Sequence, residues 1–436
     1  MKKLLLLFAL IPSFIFAQNT IGGVFKPLEA YSYAFLYQAT PTGSDYIDRA
    51  QLAEDGSFSI SFDSLATPGI YKIVYALPPE DNNFDFIYNG KESIAFNFSE
   101  ENGLEFTESN ENKLWVSYIE SMDMVNRTIS NFYAQESTDK KAYLDIVKTL
   151  SDTQEAYEES SEGMLASVFI KANTPYIPNE FEDLSTYSKN LKRTYLDHVD
   201  FGNPLLQSSD FLVERVMAYV FGMSANTNNN DYKSDIDSLM ATVGEGNTAI
   251  KTILCEMIWR RFKVMGNPEL ANYVTDNYLL ELTELTNYDA LKEQLIIYKN
   301  NAVGEKAANF DLAVVKNGET VNTTLYDLNT TDQYLVIFWS STCGHCLEEL
   351  PKIKEVISDK KDVTVIAVGL EDEAENWQKM IGDYQNFIHV LGLGKWDNPI
   401  SNAYGIESTP SLFLLDKNKV IVKKPYDVEA LKVLLN

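Results

Sequence analysis

Two cysteines three residues apart, Cys343 and Cys346, are the side chains in this sequence best suited to chemistry. They stand in FWSSTCGHCLEELP, residues 338–351, with Gly344 and His345 between them. An unbroken apolar run, 334–339, precedes them, and Leu347, Leu350, Ile353 and Ile357 follow at spacings of three and four. The pair therefore falls where a buried strand turns into a helix, the context of a redox C-x-x-C. Unpaired backbone N–H groups and the helix dipole favour an anion at such a helix start. A thiolate is that anion, and it is the nucleophile of disulfide exchange. This makes Cys343 the attacking thiol and Cys346, one turn into the helix, the resolving thiol. His345 is placed to favour the Cys343 thiolate further and so to make the pair more oxidising. Zinc would need about four ligands, and neither Cys255 nor the three histidines stand at ligand spacing. An inert structural disulfide is the other alternative, disfavoured by the exposed, strained position at a helix start. No metal is expected, and no cofactor beyond a redox-active Cys343–Cys346 disulfide.

The rest of the chain must position that pair. Its 436 residues allow two or three domains, on a prior of ~150 residues each. With 45% hydrophobic residues it can build real cores, and a formal charge of −27 argues against nucleic acid and anionic membrane surfaces. Lys2 and Lys3 followed by the apolar run 4–16 and the junction Ala17-Gln18 read as a cleavable signal peptide over 1–17. The expectation is an exported, periplasmic protein without stable membrane insertion. An uncleaved N-terminal anchor is the alternative, but the run is short of the ~20 apolar residues that span a bilayer, and Pro12 interrupts it. In an exported chain this long, three cysteines do not make a disulfide scaffold. Cys255, in the apolar stretch 250–264, reads as a buried free thiol.

In order, residues 18–111 read as an all-β, sandwich-like domain. Strands at 31–38, 58–62, 71–77 and 94–98 are aromatic and β-branched, with turn signals between them. The order Gly22-Gly23, EDGSFSI, PGIYKIVY, ESIAFNF resembles a domain of unknown function found ahead of thioredoxin-like domains in exported bacterial proteins. Residues 112–301 read as a central α-helical region, broken at 174–178, 202–204, 226–230 and 266–268. A junction at 300–306 opens an α/β domain over 302–436. It starts with a hairpin around Asn317-Gly318, alternates strands with helices, and ends in an antiparallel hairpin and a helix.

Taken together, these motifs resemble the thioredoxin fold, and more narrowly the exported TlpA/ResA-type thiol:disulfide oxidoreductases. The match rests on GEKAANFDL near 304–312, on Phe338-Trp339, Cys343, Cys346, Glu349 and Pro351, and on Tyr404, Ile406, Pro410, Ser411, Phe413 and Asp416. It covers about a third of the chain. The resemblance implies a cis Thr409-Pro410 bond beside the pair, with the Thr409 backbone free to pair with an incoming extended chain. It implies that Trp339, Gly344, Thr409 and Pro410 bind substrate, Trp339 as part of the groove floor. It also implies that Glu349 is a partly buried acid of raised pKa that relays protons to the buried sulfur. Thioredoxin proper has an acid two residues before the strand tryptophan, and here that position is Ile337.

The expected partners are disulfide-containing client proteins and an upstream thiol electron donor, a membrane-bound one among the candidates. The resemblance points to reduction and the Gly-His dipeptide to oxidation or isomerisation. Two other activities suit the same fold. A peroxiredoxin-like antioxidant would want Thr three residues before its cysteine, where this chain has Ser340. A soft-metal carrier would hold copper(I) through Cys343 and Cys346, with His389 as a third ligand.

Overall fold

The computed structural model describes residues 19–79, 81–223, 228–316 and 318–435. The signal-peptide reading of 1–17, Asn317 of the hairpin turn and residues 226–227 of the third helical break lie outside them. The described residues fall in two compact units, divided between Ile258 and Trp259.

The first unit opens with strands β1 (Thr20–Lys26), β2 (Tyr33–Thr40), β3 (Gly43–Gln51), β4 (Ser57–Ser61), β5 (Gly69–Val74), β6 (Asn83–Tyr88), β7 (Ile94–Ser99) and β8 (Gly103–Glu108). They form two four-stranded sheets, β4-β1-β7-β8 and β3-β2-β5-β6. Alternate residues of both sheets, among them Phe58 and Ile60, Ile73, Phe86 and Phe96, share one core, so the pair of sheets is a sandwich. Gly23 lies flat against the Phe96 ring, where an added Cβ would come within 2.6 Å of ring carbon. The sandwich is not wholly antiparallel: β1 and β7 run parallel.

Helices α1 (Asn110–Ala134), α2 (Lys140–Ser160), α3 (Ala166–Ala172), α4 (Leu184–Thr194), α5 (Pro204–Gln207), α6 (Asp210–Met217) and α7 (Asn229–Val243) follow. α1 buries Tyr118, Met122, Val125, Ile129 and Phe132, an apolar stripe at helical spacing. Its Asn112 side chain accepts the Ile87 N–H and donates to the Ile87 carbonyl, both at 2.8 Å, which ties the helix to β6. α8 (Thr248–Val264) carries Cys255, fully buried, with Sγ 3.1 Å from the Met240 Sδ of α7. Burial pushes that thiol up to about 12.

The second unit takes in the end of α8, then α9 (Pro268–Val274), α10 (Leu280–Thr286) and α11 (Asp289–Asn300). β9 (Asp311–Lys316) and β10 (Glu319–Thr324) pair antiparallel as a two-stranded ribbon. The main sheet has the order β13-β12-β11-β14-β15, built from β11 (Gln333–Trp339), β12 (Val363–Glu371), β13 (Ile388–Leu393), β14 (Ser411–Asp416) and β15 (Ile421–Lys423). β11, β12 and β13 are mutually parallel, β14 runs antiparallel to β11, and β15 antiparallel to β14. α12 (Gly344–Ile357), α13 (Ala374–Met380), α14 (Pro399–Tyr404) and α15 (Val428–Leu435) complete the domain.

β11 explains why the sequence ahead of the cysteines is apolar at every position. Tyr334, Val336 and Phe338 enter one core, with Phe310, Tyr404 and Phe413. Leu335, Ile337 and Trp339 enter the other, with Cys346, Leu350 and Ile353 of α12 and Leu431 of α15. A central parallel strand buried on both faces has no polar side to show.

Candidate active site

β11 ends at Trp339, a short loop carries Ser340 to Thr342, and Cys343 is the N-cap of α12. The Cys343 backbone is extended, and its N–H donates to the Ser340 carbonyl at 3.2 Å. Its Sγ accepts the Cys346 N–H at 3.2 Å, the capping bond an N-cap oxygen makes elsewhere. The same sulfur lies 3.4 Å from the Thr409 carbonyl oxygen. Burial pushes the Cys343 thiol up. Hydrogen bonds from the Cys346 and Thr409 side chains and from the N–H groups of Cys346 and His345 outweigh it, so the pKa falls below the ordinary thiol value. Cys346 is fully buried. Burial first, and the hydrogen bond to Cys343 second, push its thiol up to about 12. The arrangement is one half-exposed sulfur held toward the thiolate and one buried sulfur that keeps its proton.

The loop ahead of Cys343 is fixed by a residue the sequence reading did not single out. Glu371, at the end of β12 and buried, accepts the Ser341 N–H at 2.5 Å and the Ser341 hydroxyl at 2.9 Å. Its second oxygen also accepts the Ser340 hydroxyl at 3.3 Å. Strand register explains the meeting: Trp339 pairs with Gly369, so two residues further on each strand set Ser341 beside Glu371. The sequence signal was an acid closing an otherwise apolar strand. Gly369 itself admits no side chain, since an added Cβ would lie 2.3 Å from the Trp377 ring.

The other expected site residues divide. Thr409-Pro410 is cis, and Thr409 is the residue whose carbonyl touches Cys343. Gly344 is exposed at the first turn of α12. His345 is exposed, and what reaches the Cys343 sulfur from position 345 is its backbone N–H. Trp339 does not form a groove floor. It has no exposed surface and packs in the core with Cys346 and Leu350, so it cannot touch a client. Glu349 is buried, but its expected upward shift is reversed. Its carboxylate takes the Lys352 ammonium at 2.9 Å and the Val428 N–H at 3.1 Å. The Lys352 hydrogen bond outweighs burial, and the Val428 N–H and the nearby charges add to it, so the pKa lies below the ordinary carboxylate value. An acid held ionised in this way is a poor proton relay.

His389, the candidate third copper ligand, lies on β13, two strands from β11, with Nε2 2.9 Å from the Tyr384 carbonyl. Among the described residues no group of three or more His, Cys, Asp or Glu could hold a metal ion. His198 is exposed just after α4. No helix among the described residues is long and apolar enough to cross a membrane.

The C-terminal region of the chain is similar to known proteins. The Redoxin family model matches residues 302–432. The thiol-disulfide oxidoreductase ResA of Geobacillus thermodenitrificans is 29% identical over 124 residues, 28% of this chain and 68% of that protein. Among solved structures, a thioredoxin-like protein from Bacteroides caccae is 21% identical, covers 60% of this chain and 96% of its own, and has a TM-score of 0.42. A domain of a possible thiol-disulfide isomerase from Cytophaga hutchinsonii is 32% identical, covers 31% of this chain and 90% of its own, and has a TM-score of 0.26. The C-terminal region is therefore a thioredoxin-fold domain. It is TlpA/ResA-like, and its class is thiol:disulfide oxidoreductase.

Proposed function

We propose that the chain is an exported thiol:disulfide reductase that works through Cys343 and Cys346. The observation that carries this is the asymmetry of the two sulfurs, one capping α12 with a lowered pKa and one buried with its proton held to about 12. The Cys343 thiolate attacks one sulfur of a client disulfide. The client S–S bond breaks, the mixed disulfide forms, and the departing client thiolate takes a proton from water. Cys346 then gives up its proton and attacks the Cys343 sulfur. The Cys343–Cys346 disulfide closes and the second client thiol leaves, so two electrons pass from the pair to the client. An external thiol donor, soluble or membrane-bound, returns the pair to its reduced form. Thr409 lies against the attacking sulfur, so its backbone is where an extended client segment would align. Export rests on Lys2, Lys3 and the apolar run 4–16.

The test is trapping. Cys346→Ser should accumulate clients as mixed disulfides on Cys343, and Cys343→Ser should accumulate none. Equilibration of the pair with glutathione sets the direction: a potential well below the about −180 mV of protein disulfide isomerase supports a reductase. A value at or above that level makes the protein an oxidant or isomerase.

A further inference from the structure

The chain is acidic, with 63 aspartates and glutamates against 36 lysines and arginines, yet one cleft in the second unit reverses the balance. It is a cavity of about 400 Å³ lined by Lys263, Lys423, Lys424 and Tyr298, with no carboxylate among its described lining residues. Lys424 forms no ion pair among the described residues, and its Nζ rests 4.8 Å from the centre of the Phe413 ring. Lys263 lies over the Trp259 ring at 4.8 Å and the Tyr298 ring at 5.6 Å. Burial, and then the charge of Lys263, hold the Lys424 ammonium below its ordinary pKa, and the charge of Glu407 offsets them only in part.

This cleft adjoins a cavity beside the Thr409-Pro410 loop. A second cavity, about 370 Å³, shares Lys263, Tyr298 and Lys424 and reaches Ser408 and Ser411. Those serines flank Thr409 and Pro410, and the Thr409 carbonyl is 3.4 Å from the Cys343 sulfur. Glu407, which also lines the second cavity, is already taken by Lys263 at 3.0 Å. Among the described residues, Lys423 and Lys424 form no ion pair, and Glu407 reaches Lys424 only at longer range.

We propose that this cleft docks an acidic, extended segment of the client chain next to the disulfide that Cys343 attacks. The proposal rests on the exchange reading above and adds the substrate class. Charge complementarity fixes the occupant. The net negative chain repels acidic partners at long range, so Lys423 and Lys424 act locally, on selection between clients and on their alignment.

The experiment uses the full-length reduced protein and synthetic disulfide-looped peptides that differ only in three residues flanking the disulfide: Glu, Gln or Lys. Neutral 2-hydroxyethyl disulfide is a separate substrate. The expected result is a kcat/KM about tenfold higher for the Glu peptide than for the Lys peptide at low salt, shrinking as salt is raised. Lys424→Glu and Lys423→Glu should each abolish or invert that ratio. Equal kcat/KM for the Glu and Lys peptides overturns the proposal, as does a ratio that both variants leave intact. The wild-type comparison needs no variant to fold. Failure to reduce 2-hydroxyethyl disulfide would sink the exchange reading instead. Anisotropy binding of the reduced, alkylated peptides would then still decide the cleft, with preference for the Glu peptide expected and equal binding overturning it.

Discussion

The Sγ of Cys343 accepts the N–H of Cys346 at 3.2 Å, so the first sulfur of the pair caps the helix in which the second is buried. Each sulfur's ionisation is set by its place in that turn. In the reduced protein, Cys343 should be alkylated by iodoacetamide with an apparent pKa below the ordinary thiol value of about 8.5. Its thiolate should be lost as pH falls through that lowered pKa. Cys346, pushed up to about 12, should stay unmodified across the same range. Site-resolved mass spectrometry separates the two. Equal labelling of both, or a Cys343 rate still climbing past pH about 9, would refute the assignment of attacking and resolving thiols.

Glu349 joins two helices. One oxygen holds Lys352 on its own helix, and the other accepts the first N–H of α15 at Val428. A carboxylate pKa depressed by folding adds stability that is present above the unfolded value near 4.5 and is lost as pH falls through the folded one. Glu349→Gln should therefore lower stability by about 1–2 kcal/mol at neutral pH, and the gap from wild type should close as the pH is taken below about 4. Urea unfolding at several pH values measures both. The pH profile of exchange near neutrality should be retained, and a profile shifted by a full unit would restore Glu349 as a proton relay.

Trp339 makes a different demand. Because it has no exposed surface and packs beside Cys346 and Leu350, its removal costs core packing. Trp339→Ala should lose about 3–5 kcal/mol, and Trp339→Phe markedly less. The KM for a peptide substrate should be unchanged in Trp339→Phe. A raised KM with stability intact would return the indole to the client groove.

What could be read from sequence alone was what depends on near neighbours along the chain. The doubly buried β11, the helix behind it and the Cys343 cap are local patterns, and the Pro410 and Asp416 motif marked the loop opposite the sulfur. β3 escaped because it is exposed along nearly its whole length and shows no alternation. β1 escaped because Gly22 and Gly23 break its apolar pattern, although Gly23 is there to admit the Phe96 ring. The division between Ile258 and Trp259 has no sequence signal, since α8 runs across it without a break. Glu349 was found, but its partners were not: Lys352 stands three residues on along the same helix, within reach of sequence reading, whereas the second donor, Val428, lies 79 residues away. Lys263 and Lys424 come together only through the tertiary fold.

Glu371 shows the same limit and yields the most specific test. Its role follows from strand register, and it accepts three bonds from Ser340 and Ser341, whose loop delivers Cys343 to the start of α12. Glu371→Ala would leave the buried Ser341 N–H without its acceptor, a loss of about 1–3 kcal/mol. The freed loop should also misplace the capping sulfur. Displacements on the order of 1 Å are enough to cost up to about a hundredfold in rate, so a tenfold slower reaction of Cys343 with a disulfide peptide is well within reach. Glu371→Gln keeps an acceptor for the Ser341 N–H and should recover most of both losses. The reading that separates positioning from plain stability is the apparent pKa of Cys343, which should rise toward the ordinary thiol value in the Ala variant and stay low in the Gln variant. If both variants react like wild type, or if Gln is as damaging as Ala, then the carboxylate does not set the sulfur through its loop.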